Sequence, residues 1–250
     1  MPPPDHNPVF VAVVIAVLGF TIGVAKGGFN TLGALLAPIL SLVLPVSLAV
    51  GVLLPMLIVG DAFAIYSYWN DWDGRLVARV LPFGAVGALA GTFLLAELSP
   101  NTLRLSLAIF VLLIVVYKFL SDRIQRMRYQ ARPWHAPAAS ALAGLASGMF
   151  NNGAPPFNSY LLLQKIPPRR FIATTTLFFT LLNFIKIPGF LYTGVLNLSL
   201  LFSFWWVFLF IPTGIAAARW IITHVNQQLF DWIVIGLLIF SSIVLFWQSL

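Results

Sequence analysis

Apolar residues run along this chain in long stretches that are not broken by regular polar positions. Five such stretches lie at about 9–25, 29–43, 46–68, 76–96 and 103–120, and after a polar linker five more lie near 136–150, 155–165, 171–192, 198–222 and 229–249. Most approach or exceed the roughly 20 residues that an α-helix needs to cross the hydrocarbon of a bilayer. Lipid offers no partners to the backbone, so each stretch reads as a helix that satisfies its own hydrogen bonds. The second stretch of each set is the exception, short and punctuated by glycine and proline. The pattern predicts an all-α polytopic membrane protein.

The two sets resemble one another. A shift of 125 positions lays Gly19 and Gly23 on Gly144 and Gly148, Gly28 on Gly153, Lys26 on Asn151 and Asp61 on Lys186. After a small insertion, Pro82 and Gly84 fall on Pro212 and Gly214. The order and spacing of the breakers persist where identity is weak, which indicates an internal duplication. The chain divides accordingly into a first transmembrane repeat (1–120), a cytoplasmic basic linker (121–135) and a second transmembrane repeat (136–250).

Composition agrees with membrane burial. Hydrophobic residues make up 60% of the chain and charged ones only 8%, whereas a soluble domain is about one quarter charged. The net charge of +7 could suggest nucleic acid, but the basic residues lie mostly in short loops, where membrane orientation accounts for them. Arg75, Arg79, Lys118, Arg123, Arg126, Arg128, Arg132, Lys165, Arg169, Arg170 and Arg219 share one side if the segments alternate. That side is then the cytoplasm, and both termini face outward. An odd number of crossings per repeat turns the second repeat upside down, the ground plan of many secondary transporters. Segments one and two, and six and seven, can instead be re-entrant hairpins without changing this parity. The opening "MPPPDHNPVF" lacks a positively charged signal-peptide start, so the first apolar run is expected to be retained. There is no cysteine, and His6, His135 and His224 are scattered; no metal cluster, catalytic constellation or cofactor motif is read here. Trp69, Trp72, Trp134, Trp205, Trp206, Trp220 and Trp247 fall near segment ends, as an interfacial belt does.

The candidate chemistry lies in the two interrupted stretches, "GFTIGVAKGGFNTLG" from Gly19 and "GLASGMFNNGAPPFNSY" from Gly144. Backbone released from helix persists at membrane depth only where protein covers it or water reaches it. Each break is expected to end one helix and start another, with Pro155 and Pro156 in the first turn of the new one. A helix N-terminus carries partial positive charge and favours an anion. Lysine at mid-membrane costs about 2.5–3.5 kcal/mol on insertion scales, so Lys26 is expected to serve a purpose. The proposed binding set is Lys26, Gly27, Gly28, Phe29 and Asn30 from the first break, with Asn151, Asn152, Gly153 and Asn158 from the second.

This duplicated Gly/Asn/Pro pattern, with "GxxxGxxKGGF" in the first copy, resembles the sulfite exporter TauE/SafE family over essentially the whole chain. The resemblance implies a multi-pass inner-membrane permease for small anions such as sulfite, sulfoacetate, other organosulfonates or small organic acids. The "KGG" at 26–28 stands where many relatives have a run of glycines, and Asn151 and Asn152 replace a basic residue in the second copy. The halves are therefore chemically unequal.

Asp61 and Lys186 lie deep in segments three and eight, at equivalent repeat positions with opposite charge. They read either as a proton- or substrate-coupled ion pair or as a static bridge between the halves. Asn183 is three residues before Lys186 and shares its helix face. Thr174, Thr175, Thr176 and Thr180 line the same segment. Gly87 and Gly91 have the small-xxx-small spacing of close helix contact.

The leading expectation is a secondary transporter of a small anion working by alternating access, with protons as a candidate coupling ion and lipid and the anion as its partners. The alternative is an anion channel using the same residues. No Walker motif is present, so ATP hydrolysis by this chain is not expected. The sequence leaves a homodimer open.

Overall fold

A computed structural model of the chain describes residues 8–27, 30–126, 132–197, 199, 202 and 205–249. Gly28 and Phe29 of the first break lie outside the described residues, as do residues 127–131 of the linker. The helices are α1 (Pro8–Lys26), α2 (Leu36–Ser41), α3 (Val46–Ser67), α4 (Gly74–Glu97), α5 (Pro100–Arg126), α6 (His135–Phe150), α7 (Ala154–Leu163), α8 (Pro168–Tyr192), α9 (Phe210–His224) and α10 (Gln227–Ser249). Turns of 3₁₀ helix precede α2 (Asn30–Leu35) and α9 (Trp205–Leu209). Eight of the ten apolar stretches thus map onto single helices within a few residues. The second is a 3₁₀ turn leading into the short α2, the part of the ninth described from residue 205 onward is likewise a 3₁₀ turn leading into α9, and α5 runs six residues into the expected linker. Among the described residues five helices are long and apolar enough to cross a membrane: Val46–Ser67, Gly74–Glu97, Pro100–Leu120, Pro168–Tyr192 and Leu229–Ser249.

Local chemistry sets several helix starts. Asp73 caps α4, its Oδ1 accepting the Leu76 N–H at 3.0 Å. Ser99 caps α5 by accepting the Thr102 N–H at 3.2 Å, and Pro100 follows in the first helical position. Asn226 does the same for α10 through the Leu229 N–H at 3.3 Å. A small oxygen-bearing side chain meets an amide that the first turn cannot pair.

The helices gather into two compact units. One comprises residues 1–60, 98–115 and 195–250; the other comprises 61–97 and 116–194. Each draws on both halves of the sequence. In the first unit α1 packs along α9, and in the second α6 packs along α4, the most extensive helix pairs of the molecule. Both pairs therefore join the first helix of one half to the fourth helix of the other.

Glycine makes these contacts possible. A Cβ on Gly87 or Gly91 of α4 would strike the Ala141 or Leu145 carbonyl oxygen of α6, and one on Gly144 or Gly148 of α6 would strike the Gly84 or Ala88 carbonyl of α4. In the first unit, Gly23 of α1 and Gly214 of α9 face each other in the same way. Without side chains the backbones approach closely, and dispersion replaces the hydrophobic drive that lipid cannot supply. The Gly87–Gly91 packing signal thus has α6 as its partner. Around these seams the second unit buries Val80, Ala143, Phe157, Leu161, Phe178 and Leu182, with the Phe157 and Phe178 rings stacked at 4.0 Å. The first unit buries Ile15, Ile22, Leu40, Leu53, Met56 and Ile211.

Candidate functional site

The second break is the junction of α6 and α7. Helix α6 stops at Phe150 because Asn151 turns into the left-handed region (φ 54°, ψ 24°), which asparagine tolerates better than most residues. Its N–H still closes onto the Ser147 carbonyl at 2.9 Å. Gly153 is drawn against α6 and α8: a Cβ there would strike the Ala143 carbonyl oxygen and lie 2.8 Å from the Phe179 ring. Helix α7 then begins at Ala154 with Pro155 and Pro156 in its first turn, as the sequence predicts.

Those prolines alter the expected chemistry. Neither carries an N–H, so α7 offers fewer backbone donors than the helix N-terminus anticipated from the sequence. The first break is weaker still as an N-terminal site, because a 3₁₀ turn of six residues leads into an α2 of only six. Donors for an anion must then come mainly from side chains.

The strongest one is Lys186 of α8. It is fully buried, and its ammonium turns toward the end of α6. There Nζ donates to the Ser147 carbonyl at 3.1 Å, to Ser147 Oγ at 3.0 Å and to Asn151 Oδ1 at 2.7 Å. The cation so caps the negative end of the α6 dipole. Its three hydrogen bonds end on neutral oxygens, and the Phe190 ring lies 5.8 Å from Nζ. Asp61, also fully buried, attracts the ammonium through space while its Oδ2 accepts a hydrogen bond from Asn183 Nδ2 at 2.7 Å. Pro188, two residues beyond Lys186, removes one N–H from α8 at this depth, and that turn is held by one hydrogen bond fewer.

The second unit thus joins Asp61 to Asn183 and Lys186 to Ser147 and Asn151, with Asn152 buried next along the chain. Asn158 is committed to α8, its Oδ1 accepting from Thr175 Oγ1 at 3.2 Å. Thr174 accepts the Asp73 N–H at 3.0 Å, and Thr180 bonds back to its own helix. Lys26 and Gly27 end α1 in the first unit, and the aliphatic part of Lys26 lies over Gly60, where a Cβ would be 3.1 Å from Lys26 Cγ. Asn30 opens the 3₁₀ turn that follows. Ser147 was missed by sequence reasoning. The available signal was its spacing, one helical turn before Asn151 and therefore on the same face.

At one end of the second unit, two ion pairs tie the α3–α4 loop to the start of α8: Arg169 Nε to Asp71 Oδ2 at 2.6 Å and Arg170 Nη2 to Asp73 Oδ2 at 3.0 Å. The first unit holds a small pocket of about 20 Å³, lined by Ile15, Gly51, Pro55, Met56, Val207 and Asn197 among others. Its lining carries no charge and gives an anion little to bind.

Compared with known proteins, the chain matches the family model described as sulfite exporter TauE/SafE over residues 14–245. No curated protein and no solved structure matches it.

Proposed function

This chain belongs to the sulfite exporter TauE/SafE family of membrane transporters, and on that premise we propose that it is a secondary transporter of a small anion. Sulfite, sulfoacetate or another organosulfonate or small organic acid would be carried across the bacterial inner membrane by alternating access. The observation that carries the reading is Lys186: a fully buried cation at the end of an interrupted helix, whose hydrogen bonds among the described residues go to neutral oxygens. A buried charge with incomplete compensation is costly, and a visiting anion relieves that cost. A sulfite oxygen adds the attraction of opposite charges to the ammonium's hydrogen bond, which a neutral acceptor cannot.

In this reading Lys26, Gly27, Gly28, Phe29 and Asn30 belong to the substrate site from the first break, and Asn151, Asn152, Gly153 and Asn158 from the second. Asp61, with Asn183 beside it, carries the coupling proton. The reciprocal pairing of α1 with α9 and of α6 with α4 supports a duplication; in this reading the second copy is inverted and the basic loops place both termini outside the cytoplasm.

Counterflow of radiolabelled sulfite in proteoliposomes tests the proposal. Saturable exchange is expected in the wild type, lost in Lys186→Gln and weakened in Lys26→Gln with folding intact. Conductance without exchange would make the protein an anion channel and end this reading.

A further inference from the structure

Asn151 occupies the position on the Lys186 ammonium that an oxyanion needs. Of the three acceptors it lies closest, at 2.7 Å. The other two belong to Ser147, which sits within the last turn of α6 and is 2% exposed. Asn151 stands one residue beyond that helix, is partly exposed, and holds a left-handed backbone whose N–H bond to Ser147 does not depend on the side chain. Rotation about its Cα–Cβ bond would release the ammonium without breaking the backbone cap.

We propose that Asn151 is a resting-state stand-in for the substrate: its amide oxygen holds Lys186 until a sulfur oxyanion displaces it, so that this one side chain sets the affinity of the site. The inference rests on the transport reading above and adds the mode of binding to it. An amide oxygen keeps the ammonium in place and partly compensated while the site is empty. A sulfite or sulfonate oxygen carries a larger negative charge and wins the exchange. Ser147 keeps its two contacts in both states and fixes where the ammonium sits.

Two substitutions at this position should move affinity in opposite directions. Asn151→Asp places a tethered carboxylate on Lys186 and competes with the substrate continuously, so sulfite should bind at least roughly tenfold more weakly. Asn151→Gly removes the competitor and suits φ 54° at least as well as asparagine does, so sulfite should bind roughly tenfold more tightly. A residue that only capped α6 would leave affinity unchanged in both variants.

The experiment measures equilibrium binding of radiolabelled sulfite and sulfoacetate to full-length protein in nanodiscs, with melting temperature recorded alongside. Opposite shifts, in variants that retain a cooperative melt, are the expected result. If wild type binds either anion and Lys186→Gln does not, yet the two Asn151 variants bind alike or shift in the same direction, the stand-in is refuted and the transport reading survives. If wild type binds neither anion, the transport reading fails and this inference falls with it.

Discussion

Replacing Gly148 with alanine tests the link between the helix seam and the site. The added Cβ would strike the Ala88 carbonyl oxygen and come within 2.9 Å of the Thr92 nitrogen and 3.0 Å of the Gly91 carbonyl carbon. All three are backbone atoms on α4, so no side-chain rotation makes room and α6 must retreat by on the order of an ångström. Overpacking of this kind costs about 1–3 kcal/mol, offset by up to about 1 kcal/mol of helix propensity. Because the Cβ meets only backbone, the cost falls in the upper part of that range, about 2–3 kcal/mol, and the net loss of about 1–2 kcal/mol corresponds to a fall of roughly 2–8 °C in a protein of this size. Gly148 is adjacent to Ser147, and a site held to about 0.5 Å does not tolerate such a displacement; sulfite exchange should drop well below its wild-type rate. The measurement is tryptophan-fluorescence melting of purified protein, paired with counterflow. Gly236→Ala on α10 is the control: a Cβ there meets nothing within 4 Å, so that variant should melt at or slightly above the wild-type temperature. A Gly148→Ala protein as stable and as active as wild type would refute the seam as the element that positions Ser147 and Asn151.

Two further outcomes follow from the second unit. Asp73→Ala removes both the α4 cap and the Arg170 pair and should cost about 1–2 kcal/mol, whereas Asp71→Ala loses only the Arg169 pair, whose arginine side chain is 69% exposed, and should cost under about 1 kcal/mol; equal melting temperatures would show that the cap contributes nothing. Asp61→Asn keeps an acceptor for Asn183 but cannot carry a proton, so exchange of sulfite should persist while accumulation driven by a pH gradient disappears; accumulation equal to wild type would remove Asp61 from the coupling.

The candidate site was partly legible. Asn151, Asn183 and Lys186 stand out from sequence because polar residues in an apolar stretch are costly and therefore conspicuous. Their connections do not. Opposite charges at equivalent repeat positions suggest that Lys186 answers Asp61; the structure adds that the ammonium is hydrogen-bonded to Ser147 and Asn151 at the end of α6, and that Asp61 is bonded to Asn183. Which acceptor a lysine reaches depends on how two helices far apart in sequence are rotated about their axes. The helix N-terminus argument was weakened by a fact present in the sequence itself, since Pro155 and Pro156 remove the amide hydrogens that it invoked.

Membership of the helical membrane class, the positions of eight of the ten segments, the breakers and the restart at Ala154 were decided by the sequence alone. Each depends on the cost of putting one residue's side chain or backbone into lipid, and that cost is local. The partnership of α4 with α6 and of α1 with α9 was decided only by the tertiary structure. A glycine stripe announces that some backbone will come close, but any helix of matching shape could be that backbone. The seam, and the lysine cap it brings into place, exist only once surfaces distant along the chain have fitted together.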